Sequence, residues 1–384
     1  MDAQATKVLL RFFMGLKDPR RHNVRHLFSD ILTIAILAVM CKADDWIEVV
    51  AYAKGNLHRL ETFLSLPKGI PSADTFRRVF ARIDPEAFER CFMEWTRTLA
   101  EVTQGRVIPI DGKTLRRSFE HAWDKQAIHL VSAWSAHNEI VLGQLVTDSK
   151  SNEITAIPKL LDLLNVKDAI VTIDAMGCQK EIAQKIIEGG GDYVLAVKDN
   201  QPTLHQQVHS LMEEAKLEYA QSKGKVHSDW FDYFEQTNGG HGRIEIRRCF
   251  CTSHIEWIGE AAQWPGLASV AMVESHRIIN GKTTVEYRCF ISSLKDGNAQ
   301  QVAQAVRAHW GIENGLHWRL DMTFREDESR LRKGHGAENF SRLRRIVLNK
   351  LKDAPEEEGR KSSLKVKRYR CSIDPQYLMD VLCS

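Results

Sequence analysis

The sequence predicts an α/β protein: a mixed sheet flanked by helices, interrupted by a β-rich insertion and preceded by an all-α N-terminal domain. Apolar residues recur at helical spacing through residues 1–100, whereas residues 105–200 alternate apolar strands with amphipathic helices. From about 225 to 295 the turn pairs Gly239-Gly240 and Asn280-Gly281 divide a β-rich stretch. A chain of 384 residues, 43% hydrophobic and 27% charged, can bury a sizeable core, which excludes a disordered, collagenous or disulfide-stapled chain.

The N-terminal region is predicted to be a small helical bundle. Residues 30–40 are apolar nearly all round, which is typical of a buried helix, and Asp44 is a suitable N-cap for a helix over 45–57. A basic helix over 75–83 places its apolar side chains on one face and its arginines elsewhere. A helix beginning after Asp84 and running through Leu99 completes the bundle.

Strands and helices then alternate. We predict strands over 106–111, 128–135, 139–146, 169–174 and 192–197, and helices over 154–164, 178–188, 299–320 and 338–352.

Three acidic residues occupy positions that are typical of a catalytic or metal-binding site. Asp111 and Asp174 each end an apolar strand, and neighbouring strands of an α/β sheet bring such ends to one edge. On the predicted helix over 299–320, His309, Glu313 and His317 share one face. Carboxylates that converge need a proton or a cation, and hard oxygen ligands favour Mg²⁺ or Mn²⁺.

Simpler interpretations of the same residues stay open. Each Asp suits a turn or capping role, and the histidines suit either a zinc site or ordinary packing. Other acids compete with Glu313 for the third position: Asp321, Asp327 and Glu328. The spacing makes a metal-dependent nuclease a candidate and no more.

The formal charge is only +3, from 53 Lys and Arg against 50 Asp and Glu, which by itself does not indicate a nucleic-acid binder. The segment 340–370, however, contains eleven Lys and Arg and four acids. The eight cysteines show no disulfide spacing, the first residues do not form a signal peptide, and the apolar run 31–41 is too short to cross a bilayer. A cytoplasmic protein without membrane contact is therefore expected.

Several ordered motifs resemble the H-repeat-associated type of bacterial insertion-sequence transposase, within the DDE transposases. They are Ile110-Asp111-Gly112-Lys113, Thr172-Ile173-Asp174-Ala175-Met176-Gly177, Gly240-His241-Gly242-Arg243 and His309-Trp310-Gly311-Ile312-Glu313-Asn314 followed by Leu316-His317-Trp318. The resemblance extends from Leu16 to about residue 350. Where the wider group often has Tyr, Arg and Lys around its Glu, this chain has Val306, His309 and Leu320.

The resemblance implies an RNase H-like catalytic domain over 105–352 with a β-rich insertion at about 203–298, a helical N-terminal domain over 1–100 for end recognition or dimerisation, and a basic tail over 353–384. It implies that Asp111, Asp174 and Glu313 are the catalytic residues and hold two Mg²⁺ or Mn²⁺ ions for DNA cleavage and strand transfer. A nuclease without strand transfer and a catalytically silent DNA-binding remnant are the alternatives.

The expected partners are double-stranded DNA, both the terminal inverted repeats and the target, and further copies of the chain in a homo-oligomer, with a dimer preferred. In a bacterial cell the protein would then be associated with the nucleoid. The residues predicted to contact DNA are Lys113, Arg116, Arg117, Arg77, Arg78, Arg82, His241, Arg243, Arg342, Arg344 and Arg345.

Overall fold

The computed structural model describes residues 11–21, 24–99, 106–119, 126–147, 152–222, 229–240, 242–356 and 361–384. Among these residues no helix is both long and apolar enough to traverse a lipid bilayer.

The N-terminal region folds into helices close to the predicted positions. They are α1 (Phe28–Met40), α2 (Trp46–Gly55), α3 (Leu57–Leu60), α4 (Ala73–Phe80) and α5 (Pro85–Leu99). The N-cap of α2 is Asp45, whose carboxylate accepts the backbone N–H groups of Ile47 and Glu48, and not the predicted Asp44. Asp44 instead forms an ion pair with Arg368 near the other end of the chain.

Nine strands form one mixed sheet in the order β3-β2-β1-β4-β5-β9-β8-β7-β6. They are β1 (Val107–Thr114), β2 (His129–Ser135), β3 (Ile140–Thr147), β4 (Ile170–Ile173), β5 (Asp192–Val197), β6 (Asp232–Gly240), β7 (Arg243–Thr252), β8 (Ser269–Ile279) and β9 (Lys282–Ser292). Strands β1, β4 and β5 run parallel to one another, and the remaining pairings are antiparallel.

The β-rich stretch is a continuation of this sheet. Strand β9 pairs antiparallel with β5, so that β6–β9 extend the sheet that begins with β1–β5. The two predicted turns lie at the ends of the β6–β7 and β8–β9 hairpins.

Helices cover both faces of the sheet. On one face lie α6 (Glu153–Leu163), α7 (Lys180–Glu188) and α8 (Pro202–Gln221), while α9 (Ala299–Ile312) packs on the other. The chain continues from α9 through a π-helical turn, Glu313–His317, into α10 (Trp318–Phe324) and then α11 (Gly336–Asp353).

The C-terminal region corrects the prediction of a basic tail. Residues 364–383 form two helices, α12 (Leu364–Ile373) and α13 (Pro375–Cys383), whose apolar side chains share one core with the N-terminal helices and α11. Lys367 and Arg368 are only 3% and 2% exposed. The apolar residues between the charges, such as Leu364, Leu378 and Val381, explain why the segment packs instead of remaining solvated.

Candidate metal centre

Two aspartates meet at one edge of the sheet. Ile110 of β1 pairs in parallel with Ile173 of β4, and Asp111 and Asp174 are the residues that follow this pair. Asp174 comes directly after β4, whereas Asp111 does not end its strand as predicted, because β1 continues to Thr114 through its pairing with β2. Asp174 also has the capping role that its position suggests, because its Oδ1 accepts the backbone N–H groups of Met176 at 3.1 Å and Gly177 at 3.4 Å. Pairing of the strands therefore brings together two acids that lie far apart in the sequence.

The third acid comes from the helix packed beside these strands. Ile312, Leu316 and Leu320 are buried in the helical core, which turns Glu313 and His317 of the π-helical turn toward β1. Nδ1 of His317 lies 3.5 Å from Oδ2 of Asp111 and 3.6 Å from Oε2 of Glu313. A π-helical turn at such a position is common at functional sites.

Asp111, Glu313 and His317 offer ligand atoms that all lie within 4.8 Å of one another. In the part of the chain that the structure describes, this is the one group of three such side chains with metal-binding spacing. Asp174 borders the group without belonging to it. From the sequence, His317 was interpreted either as a metal ligand or as an ordinary packed residue. Its helical spacing from Glu313 was the feature that pointed to a shared site.

The electrostatics of these residues favour a bound cation. Burial, together with the negative charges of Glu313 and Asp174, raises the pKa of Asp111 to about 8. The hydrogen bond from His317 lowers the pKa of Glu313. A buried carboxyl group that resists ionisation beside other carboxylates can be stabilised by a divalent ion, and its oxygens suit Mg²⁺ or Mn²⁺. The imidazole nitrogen adds a preference for Mn²⁺ over Mg²⁺.

His309 lies on the same helix with a different partner. Its Nδ1 is 3.0 Å from the hydroxyl of Thr172 in β4, and burial lowers the pKa of the imidazole. His309 therefore ties α9 to the strand that ends at Asp174.

The acids that compete with Glu313 in the sequence have cationic partners instead. Lys113 forms ion pairs with Asp321, with Glu326 at 3.4 Å and with Asp327 at 3.9 Å, while Glu328 pairs with Arg325. Of the candidates for the third acid, Glu313 is the one beside Asp111.

The same ion pairs contradict the prediction that Lys113 contacts a DNA phosphate. This side chain is 8% exposed and surrounded by carboxylates, so it is not available to DNA. Arg116 and Arg117 follow it and are exposed.

The basic helix α11 requires a larger correction. Arg342, Arg344 and Arg345 are at most 2% exposed, and they face carboxylates from remote parts of the chain. Arg342 pairs with Glu89 at 2.6 Å, and Arg345 pairs with Glu326 at 3.0 Å. Burial lowers the pKa of Arg344 to about 10. These arginines hold the interior together and present no basic surface.

The remaining predicted DNA contacts lie on the surface. Arg77, Arg78 and Arg82 on or after α4 are exposed, and Arg243 at the tip of the β6–β7 hairpin is exposed as well. His241 falls outside the described residues.

A mixed sheet with one acid on a strand, a second directly after the parallel neighbouring strand and a third on a helix beside them is the arrangement expected of a DDE transposase. The chain belongs to this family: residues 103–350 match the model described as "Transposase DDE domain", and residues 10–96 match the one described as "DDE_Tnp_1-associated".

Curated relatives carry the same assignment. The chain is 41% identical over 382 residues to "Putative transposase YncI" of Escherichia coli O157:H7, covering 98% of this chain and 94% of the relative. It is 39% identical over 365 residues to "H repeat-associated putative transposase YhhI" of Escherichia coli K12, covering 94% and 93%. A solved piggyBac transposase synaptic complex with hairpin DNA matches 98% of this chain and 77% of its own, at 12% identity and a TM-score of 0.41. A likeness at that level supports no statement about mechanism.

Proposed function

We propose that this protein is an active DDE transposase that cleaves DNA at the ends of an insertion sequence and joins those ends to target DNA. The observation that carries the proposal is the close grouping of Asp111 and Glu313 with His317, with Asp174 directly after β4, the parallel neighbour of β1. The strand order 3-2-1-4-5, with β2 antiparallel to β1, supports assigning β1–β5 to an RNase H-like core.

Each acid would have a defined part. Asp111 and Glu313 would hold one divalent ion with His317 as a nitrogen donor, and Asp174 would complete a second position next to Asp111. Two ions held there would activate the attacking hydroxyl and stabilise the leaving oxygen during phosphodiester cleavage. Because both steps are direct displacements at phosphorus, no side chain needs to form a covalent intermediate. Two ends must be held together for joining, so we propose a homo-oligomer.

The test is metal-dependent nicking of a supercoiled plasmid that carries the DNA flanking the reading frame on both sides. We expect nicking with Mn²⁺ or Mg²⁺ by the unmodified protein, and a loss of at least about a hundredfold in Asp174→Asn, because a metal-binding carboxylate becomes a neutral amide. Asp199→Asn is the matched control, since Asp199 is a fully exposed acid after β5.

The products distinguish the alternatives. Joining of a labelled end to a second plasmid supports the transposase, whereas nicking without joining favours a nuclease. Binding without nicking would favour a catalytically silent remnant. Equal nicking by Asp174→Asn and the unmodified protein would contradict the assignment of the acids.

A further inference from the structure

A second basic region lies apart from the metal centre. A cavity of about 1140 Å³ opens between the segment after residue 18, the loop after α3 and the side of α4. Its cationic lining is Arg20, Arg21, Arg25, Lys68, Arg78 and Arg82, with His335 also in its wall, and we call it the basic cavity. None of the described residues that line it is Asp or Glu.

Most of these cations have no carboxylate partner. Arg78 pairs with Asp74 on its own helix, but Arg21, Arg25, Lys68 and Arg82 form no ion pair with a described residue. All four are exposed and come from three separate segments. Lys113, Arg342 and Arg345 in the interior each face a carboxylate, whereas these four cations share one cavity and have no such partner.

One wall of the basic cavity contains Arg20, whose side chain forms hydrogen bonds within the protein. The Arg20 guanidinium donates to Asp18 at 2.7 Å and to the carbonyl of His26 at 2.8 Å. These bonds link Asp18 and His26, which lie on either side of Arg21 and Arg25 in the sequence. The Arg20 side chain is only 13% exposed and has a structural role, whereas the exposed side chains of Arg21 and Arg25 can bind an anion.

The concentration of charge indicates what binds there. Cations gathered in one cavity repel each other, and a polyanion relieves that repulsion while releasing its own counterions. Four cations spread over a large open cavity match a row of phosphates better than a single small anion.

Hydrogen bonds connect the basic cavity to the segment that follows β1, the strand that carries Asp111. The backbone N–H of His335, at the edge of the cavity, donates to the carbonyl of Ala81 at 3.1 Å. Three residues earlier, Arg332 Nε donates to the carbonyl of Arg117 at 3.1 Å. Exposed Arg116, Arg117 and Lys333 lie along this connection. Exposed cations therefore lie on the segments that join the basic cavity to the residues after β1, although Arg116 pairs with Asp327 at 3.3 Å.

We propose that the basic cavity binds the phosphodiester backbone of duplex DNA, independently of base sequence, and so anchors the duplex whose scissile bond lies at the metal centre. The anchoring role rests on the proposed function, whereas the DNA binding does not. Helix α4 contributes Arg78 to the cavity and the turn after it contributes Arg82, while Arg77 lines a different pocket with Asp44, Asp45 and Glu48. One face of α4, and not the whole basic helix, is the DNA-facing surface.

The test measures duplex binding by fluorescence anisotropy in EDTA, where no cleavage occurs. The double variant Arg25→Gln/Arg82→Gln is compared with Lys54→Gln/Lys159→Gln, which removes the same charge from exposed positions away from the cavity. For the first variant we expect about tenfold weaker binding to both a flanking-sequence duplex and an unrelated duplex, and a salt slope smaller by about 2. The control is expected to retain the slope of the unmodified protein, and Arg25→Lys/Arg82→Lys to restore binding because it keeps the charge.

Two results would overturn the proposal. One is unchanged affinity and salt slope in Arg25→Gln/Arg82→Gln; the other is a loss confined to the flanking-sequence duplex, which would indicate base reading. Because binding is measured without divalent metal, a protein that fails to nick DNA contradicts the proposed function and leaves this result standing. Normal nicking with an unaffected salt slope contradicts the basic cavity alone.

Discussion

Asp111 shows how neighbours change the chemistry of one carboxyl group. Its pKa rises to about 8 through burial and the adjacent acids, whereas His317 lowers the pKa of Glu313. The two carboxyl groups therefore differ although both contact the same imidazole. A proton or a divalent ion near Asp111 relieves the repulsion, which makes metal affinity the direct measure of this arrangement.

Replacing His317 with Gln is expected to weaken Mn²⁺ binding by about 10- to 100-fold and Mg²⁺ binding less, because the imidazole nitrogen suits Mn²⁺ better. Electron paramagnetic resonance titration of Mn²⁺ measures the affinity without requiring catalysis. His209→Gln, an exposed histidine on α8, is the control. Mn²⁺ affinity equal to that of the unmodified protein would exclude His317 as a ligand.

Glu326 is a second acid whose neighbours determine its state. Although burial opposes ionisation, the charges of Arg345, Lys113 and Arg344 lower the pKa of Glu326 to about 2. A pKa below the ordinary value of 4.5 means that the carboxylate stabilises the fold above about pH 4.5 and that this contribution is lost as the pH falls toward 2.

Glu326→Gln is expected to destabilise the protein at pH 7 by about 3–5 kcal/mol, because it leaves buried arginines without their anion. Its stability should also depend less on pH between about 4.5 and 2. Glu328→Gln, which breaks an exposed pair two residues away, should have a much smaller effect because solvent screens that pair. Thermal unfolding over this pH range makes the comparison, and equal effects of the two variants would contradict the assignment.

At the scale of elements, the π-helical turn directs the Glu313 side chain toward Asp111 of β1. Gly315 in this turn packs against β2, where an added Cβ would lie 2.9 Å from the ring of Trp134. Gly311, one turn earlier, has open space at the same point. The two glycines lie four residues apart and differ in what faces them, so Gly311 is the control for Gly315.

Gly315→Ala is expected to lower the melting temperature and weaken Mn²⁺ binding, because the turn must move away from Trp134 and take Glu313 and His317 with it. Gly311→Ala should leave Mn²⁺ affinity unchanged and stabilise the helix by up to about 1 kcal/mol. Calorimetry and Mn²⁺ titration of both variants provide the test. A Gly315→Ala protein that melts and binds like Gly311→Ala would refute the close contact.

Predictions for elements succeeded where the pattern depends on neighbours in sequence. Strands β1, β4 and β5 fall within three residues of their predicted bounds, because short apolar runs between turn residues have few other interpretations. Helix α11 was also placed correctly, but its role was wrong. In the sequence its arginines resemble a solvated basic face. In the structure they are buried, and the fold places Glu89 and Glu326 beside them.

At the scale of the whole molecule, both ends of the chain build one helical core. Arg368 of α12 donates to the carbonyl of Val39 at the end of α1 and pairs with Asp44 at 3.2 Å. It also donates to the carbonyl of Thr323 in α10. One side chain thus joins the N-terminal helices, the helix after the metal centre and the C-terminal helices.

Arg368→Met is expected to lower stability by about 3 kcal/mol or more, because the buried carbonyls lose their donor and Asp44 loses its partner. Lys365→Met, an exposed position on the same helix, should change stability by less than about 0.5 kcal/mol. Urea unfolding measures both. Similar stabilities would mean that α12 does not support the N-terminal helices.

The sequence by itself determined the strands and helices near the metal centre, the family, and the three acids to test. These follow from local patterning and from short ordered motifs, which neighbouring residues encode. Only the tertiary structure decided that β6–β9 extend the main sheet, that His317 contacts both Asp111 and Glu313, and that Lys113 and the arginines of α11 are internal. The physical reason is that strand pairing and the neutralisation of a buried charge depend on partners that the fold brings from elsewhere in the chain, as with Arg342 and Glu89, which are 253 residues apart, and no local pattern contains them.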